Sequence, residues 1–245
     1  MTPRVTLAVT ERVLRQLRHD PRTLALLFGV PPLLLTLFKY VFVGQEQTFD
    51  RIGGPLVGIF PFMTMFVVGS IGVLRERTSG TLERLMTLPL AKLDVLAGYG
   101  IAFAAVAVVQ ALVVCGVAFG LLGLAVVGPL WVVIGIAVLN AVLGMSLGLF
   151  TSAFARSEFQ AVQFLPAFVF PQLLLCGLLV PRERMADLLD WVSWGLPLTY
   201  AYDALHRTAT LGETGGAVWR DAAVVLGAAV VALALGALTL RRRTP

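Results

Sequence analysis

The chain has 245 residues, of which 58% are hydrophobic and only 13% charged, with a mean hydropathy of +0.88. A soluble globular domain carries about a quarter charged residues, so composition excludes one and places the chain among membrane proteins. The net charge of +5 is not a nucleic-acid signal, because the basic residues gather at the ends of apolar runs, where they set orientation.

In chain order, residues 4–22 carry Arg4, Arg12, Arg15, Arg18 and Arg22, while Val9, Val13, Leu14 and Leu17 recur at helical spacing. This pattern predicts an amphipathic surface helix over 1–23, with an apolar stripe and a basic face. An ordinary solvated tail is the plainer alternative. No cleavable signal peptide is expected: the first apolar run starts near Leu24 and has a spanning length.

Six spans are expected, at about 24–43, 55–74, 93–122, 129–153, 160–180 and 221–240. Pro31-Pro32 predicts a kink in the first. Gly116-x-x-x-Gly120 and Gly144-x-x-x-Gly148 permit close helix approach and are read as packing within the subunit. The N-terminal tail, the 75–94 loop and Arg241-Arg242-Arg243 are basic, which puts both termini in the cytoplasm. The 44–54 loop and the uncharged 123–128 turn then lie outside. The segment 181–220 is also external, with Trp191, Trp194, Tyr200 and Tyr202 suited to an interface. Met185, Leu188, Leu189, Val192 and Leu196 predict a short helix or re-entrant pair there, broken at Pro197. Arg182, Arg184, Arg207 and Arg220 of this segment lie against the charge rule, and Asp187, Asp190, Asp203, Glu213 and Asp221 are near enough in sequence to pair with some of them.

The catalytic constellations are missing. His19 and His206 are far apart, no HExxH or GxSxG occurs, and neither Lys39 nor Lys92 follows a phosphate-binding glycine loop. If the chain serves ATP-driven transport, ATP and Mg must be bound by another chain, and no cofactor or metal is expected here. Cys115 and Cys176 read as small hydrophobes within spans. Gln110, Asn140, Ser146, Gln163 and Gln172 are uncharged and read as glue between helices, which argues against a carrier driven by protons or sodium.

Between the second and third spans lies a charged, helix-forming stretch in which Leu82, Leu85, Met86 and Pro89 share a face and Glu83, Arg84 and Thr87 occupy others. Ser79 or Thr81 can cap it and Pro89 ends it, which gives a coupling helix over 75–90. The run from Glu76 to Pro89 resembles the E-x-x-x-G-T-L-E-x-L-x-x-x-P signature of type-2 ABC exporter permeases. A second stretch agrees: Phe170 to Pro181, then Trp191, then Pro197-Leu198-Thr199-Tyr200, is similar to the family's fifth span, outer re-entrant helix and P-L-T-Y turn. Leu196, Ala186 and His206 depart from the family pattern and leave the subfamily open.

The resemblance implies a single all-α transmembrane permease domain over 1–245. It implies two cytoplasmic ABC ATPase subunits gripping Glu76, Gly80, Thr81, Leu82, Glu83, Leu85 and Pro89, together with Arg12 and Arg15 of the N-terminal helix. A second permease subunit, identical or similar, would complete the pathway in the inner (plasma) membrane, among membrane lipid and with no nucleic acid involved. In family members that pathway lies between second and fifth spans, here carrying Phe62, Met63, Phe66, Gln163, Phe164, Phe168 and Gln172. Phe and Met suit lipophilic substrates such as a drug, an antibiotic or a lipid, although the same residues also serve as helix packing. Export of a glycan or lipid-linked polymer, and a non-transport membrane enzyme or scaffold, are the competing readings.

Overall fold

The protein is described by a computed structural model covering residues 3–78 and 92–239. All regular structure in the described residues is helical. α1 (Pro3–Arg18), α2 (Pro21–Val41) and α3 (Glu46–Thr78) precede the 79–91 segment. α4 (Lys92–Cys115) runs on into a π-helical turn, Gly116–Leu121. α5 (Leu130–Ser152), α6 (Glu158–Phe164), a π turn (Leu165–Val169) and α7 (Phe170–Leu175) follow. A 3-10 turn (Arg182–Arg184), α8 (Asp187–Ser193), α9 (Pro197–Leu211) and α10 (Gly216–Thr239) complete the chain.

Among the described residues, five helical stretches are long and apolar enough to cross a membrane: Pro21–Val41, Glu46–Arg75, Ala97–Leu121, Leu130–Ser152 and Gly216–Gly236. The expected span at 160–180 is not among them. Its helical run is interrupted because Pro166 and Pro171 lack the N–H that an i→i−4 ladder needs, and the ladder opens into the π turn at Leu165–Val169. Gly177, at φ +102°, then turns the chain away, a conformation open to glycine. The expected 44–54 loop shrinks to a short turn, since α3 begins at Glu46. That acidic residue suits the first helical turn, Phe49 is buried, and Asp50 accepts a hydrogen bond from Ala125 N at 3.0 Å.

The bundle is built around α3 and α5. Gly144 and Gly148 lie so close to Phe62 O and Phe66 O that a Cβ on either glycine would overlap them, and Gly69 meets Met145 O in the same way. This second glycine pair does the packing expected of it. The first does not: Gly116 and Gly120 have no neighbour within 4 Å where a Cβ would stand, because they lie on an exposed face of the π turn.

Polar side chains join the helices where prolines or close approaches disturb the backbone. Pro31 leaves Leu27 O without its helical donor, and Gln110 Nε2 donates to it at 3.0 Å. Asn140 Nδ2 donates to Gly58 O at 3.1 Å, joining α5 to α3, and Ser70 Oγ lies 3.2 Å from Thr151 Oγ1. Gln172 Oε1 accepts from Leu198 N at 3.4 Å, linking α7 to α9. Ser146 instead bonds Val142 O on its own helix, and Gln163 is exposed, so these two are not glue. Cys115 and Cys176 are free and buried.

α1 is helical and amphipathic as its sequence predicts, but its stripe does not lie on lipid alone. Val9 and Val13 pack on α4, and Thr10 Oγ1 donates to Gly98 O at 3.1 Å. At the opposite end of the bundle, α8 stops before Pro197, which starts α9. Gly212, in the left-handed region at φ 71°, caps α9 with its N–H on Arg207 O.

Candidate functional site

The loop that carries the coupling signature lies outside the described residues at Gly80, Thr81, Leu82, Glu83, Leu85 and Pro89. The backbone of Glu76 belongs to the last turns of α3. What is described is the junction from which the loop departs, and Arg75 organises it. Its Nε and Nη2 donate to the two carboxylate oxygens of Glu158 at 2.8 and 3.1 Å, while Nη1 stands 3.5 Å from Asp20 Oδ2. One guanidinium thus joins the end of α3 to the start of α6 and to the α1–α2 corner.

Each carboxylate is held in place by its own helix. Asp20 caps α2, accepting from Thr23 N at 3.1 Å and Thr23 Oγ1 at 2.6 Å. Those bonds, ahead of Arg75, hold its carboxyl below the ordinary value. Glu158 occupies the first turn of α6 after the Ser157 cap, and the hydrogen bond from Arg75 holds its carboxyl low as well. Sequence reasoning missed this triad because its members are 55 and 83 residues apart. The signal was charge at three helix ends, which sequence alone does not pair.

Of the basic surface helix, Arg15 is exposed and pairs with Glu11 on α1 at 2.5 Å. Arg12 is half-buried on the same helix.

The pathway residues of the sequence reading are not gathered into one place. Phe62 and Phe66 are fully buried against α5 and present no surface to a passing molecule in this conformation. Met63 lies on the neighbouring face of α3 and lines a cavity of about 590 Å³ bounded by α1, α2, α3 and α4. Phe164 and Phe168 meet edge to face at 5.8 Å, with Phe168 about half exposed. Gln163 faces out, and Gln172 is committed to α9. Phe60, Thr64 and Val67 share the cavity face with Met63. Hydropathy reads them simply as part of a uniformly apolar span.

The opposite end carries a second set of charges. Arg182 Nη2 bonds Asp203 Oδ2 at 2.5 Å, both side chains largely buried, and the guanidinium lies 4.7 Å from the centre of the Trp194 ring. Burial pushes the Asp203 carboxyl up to about 6 although Arg182 opposes it. Tyr202 and His206 stack at 5.6 Å, and burial holds the imidazole below its usual value. Arg207–Glu213 and Arg220–Asp221 pair nearby. Arg182, Arg207 and Arg220, three of the arginines in the segment expected to be external, are thus each paired with a carboxylate.

Apolar spans, intramembrane amide bonds and charge confined to the two ends define a multi-pass, all-helical membrane protein with no catalytic constellation in view among the described residues. The chain matches the model of the ABC-2 type transporter family over residues 4–208 and belongs to that family. It is 26% identical over 202 residues to the ABC transporter G family member 20 of Dictyostelium discoideum, an alignment covering 81% of this chain and 28% of that protein. It is likewise 26% identical over 166 residues to the probable multidrug ABC transporter permease YbhR of Escherichia coli strain K12, covering 68% of this chain and 45% of that one. The chain therefore spans less than half the length of the curated relatives it matches.

Proposed function

We propose that this chain is the transmembrane subunit of an ATP-driven ABC exporter that moves lipophilic substrates outward across the inner membrane. It acts with a second permease subunit, identical or similar, and with two separate ATPase chains that bind ATP and Mg. The family supplies the permease component of ABC transporters, which is normally non-catalytic. Both termini and the 75–94 loop face the cytoplasm.

The observation that carries this reading is the Arg75 junction. A segment pushed by an ATPase transmits motion only if its root is fixed to more than one helix. The root of the 79–91 segment is fixed to α2 through Asp20 and to α6 through Glu158. Closure of the ATPases would then displace α3, α2 and α6 together. The Escherichia coli relative is named a probable multidrug permease, which supports a lipophilic substrate over a glycan or polymer.

The test is co-purification of the chain with an ABC ATPase, followed by ATP-driven extrusion of a lipophilic dye from vesicles. Glu83→Arg is expected to abolish extrusion or ATPase association while leaving the permease folded. Unchanged extrusion in that variant, or a stable functional complex lacking any ATPase, would overturn the reading.

A further inference from the structure

Between Gly177 and Pro197 the chain leaves the bundle and returns to it. Of residues 178–196 only Ser193 is buried, and Leu188 and Trp191 are exposed to 70% and 74%. A segment with so little burial has little packing to hold it down. Each end has a pivot. Gly177 stands at φ +102° in a stretch, 176–180, that forms no helix, and Gly195 follows the end of α8. The floor beneath is fixed: Leu198, Ala201 and Leu205 of α9 are fully buried, and Gln172 ties α9 to α7.

Side chains do the fastening, and Arg182 is at the centre of it. Its Nη2 donates to Asp203 Oδ2 on α9 at 2.5 Å. Its guanidinium lies over the Trp194 ring at 4.7 Å, so the same group clasps the far end of the segment. Its stem crosses Gly177, with Cγ 3.7 Å from the place a Cβ would occupy. Tyr200 Oη, from α9, donates to Trp194 O at 2.8 Å. The clasp takes charge out of water: both members of the Arg182–Asp203 pair are largely buried. Arg182 Nη1 and Asp221 Oδ2 are buried as well, and neither finds a hydrogen-bond partner among the described residues. The other titratable groups around Asp203 are Glu183 of the 3-10 turn, Cys176, Tyr202, His206 and Arg207 on and beside α9, and Arg220 on α10. Arg51 of α3 acts on Tyr202 and His206.

We propose that residues 178–196 form a hinged flap latched to α9 through Arg182 and Asp203, and that acid at this end of the protein holds the flap shut while neutral pH frees it to lift. The latch rests on the exporter reading only for its side of the membrane, which is the outer one.

The sign follows from burial. In the shut flap, loss of water outweighs Arg182 and raises the Asp203 carboxyl from 3.8 to about 6. Lifting the flap returns it to water and toward the lower value. The shut state therefore holds the proton more tightly: its stabilisation is full below the lower value and lost as pH rises through about 6. Lifting is then about ten-fold rarer at pH 5 than at pH 7.5. His206 is held low by burial, so uncovering it would act in the opposite sense.

The chain carries its own reporter. Cys176 adjoins the Gly177 pivot, is fully buried, and feels the charges of Asp203 and Arg182, while Cys115 is buried elsewhere in the core. The experiment pulses the full chain in maltoside micelles with N-ethylmaleimide and reads both cysteine peptides by mass spectrometry. Each rate is divided by that of the protein unfolded in dodecyl sulfate at the same pH, which removes the chemical pH dependence of the thiol. The relative rate at Cys176 is expected to fall about ten-fold from pH 7.5 to pH 5, with Cys115 protected at both. Asp203→Asn should hold Cys176 at the low, acid-like rate at both pH values.

A Cys176 rate that is equal at the two pH values, or higher at pH 5, overturns the proposal in the unaltered protein. Cys115 rising in step with Cys176 overturns it too, by showing global rather than local opening. A pH dependence that survives in Asp203→Asn and disappears in His206→Gln assigns the switch to the imidazole and overturns the latch. Dye extrusion by the ATPase complex is measured separately. Extrusion with a flap indifferent to pH sinks only the latch, and an acid-held flap in a chain that never joins an ATPase sinks only the exporter reading.

Discussion

Arg75 bears on three helices at once, and its removal is more informative than that of any other described residue. The exposed pairs it makes contribute only about 0–1 kcal/mol each, so Arg75→Gln is expected to leave thermal stability within a few degrees of the parent. Its effect should fall on transmission: ATP hydrolysis in the assembled complex continues while extrusion drops several-fold. A large loss of stability in that variant would show instead that the junction is structural. Asp203 offers a second residue-level prediction. Its value in the fold, about 6, lies above the ordinary 3.8. The stabilisation tied to its proton is therefore full below the lower value and lost as pH rises through about 6. Asp203→Asn should flatten the change in unfolding temperature between pH 4 and pH 6.5; Arg182, Arg207, Glu183 and Asp221 are the charges that act on it. An unchanged pH profile in the variant would remove Asp203 as the titrating group.

Among the elements, α3 and α5 show how two similar motifs acquire different meanings. Gly144→Ala or Gly148→Ala drives a methyl into the carbonyls of Phe62 or Phe66, so each should cost about 1–3 kcal/mol or more by forced separation of the helices. Gly116→Ala meets nothing within 4 Å and should be neutral. Thermal unfolding of the three variants decides the matter, and equal loss at Gly116 would mean that its face is covered in the folded protein. Phe62→Ala belongs to the same scale. Phe62 is fully buried, and truncation of a buried Phe costs about 3–5 kcal/mol. The variant is expected to lose extrusion of every substrate along with its stability, whereas Phe168→Ala, at the exposed face of the π turn, should leave stability nearly intact. A narrowed substrate range in a fully stable Phe62→Ala protein would restore that residue to the pathway. The amide bonds follow the same logic. The sequence marks Gln110 as polar in an apolar span, but only the position of Pro31 explains why Leu27 O needs a donor.

For the molecule as a whole, the sequence determined the all-helical membrane class, five of the spans to within a few residues except at the early start of α3, and the family. Each of these rests on a property read along one chain: run length set by bilayer thickness, charge at run ends, and local signature spacing. The break in the 160–180 helix was partly legible too, since Pro166, Pro171 and Gly177 all lie in that run. Tertiary structure alone decided which faces are buried. Lipid and protein interior are both apolar, so a spanning helix is hydrophobic all round and its pattern does not distinguish Phe62, locked against Gly144, from Met63, which lines a groove. It also decided that Asp20, Arg75 and Glu158 meet, because pairing between distant charges is fixed by how helix ends come together and leaves no periodicity in the sequence.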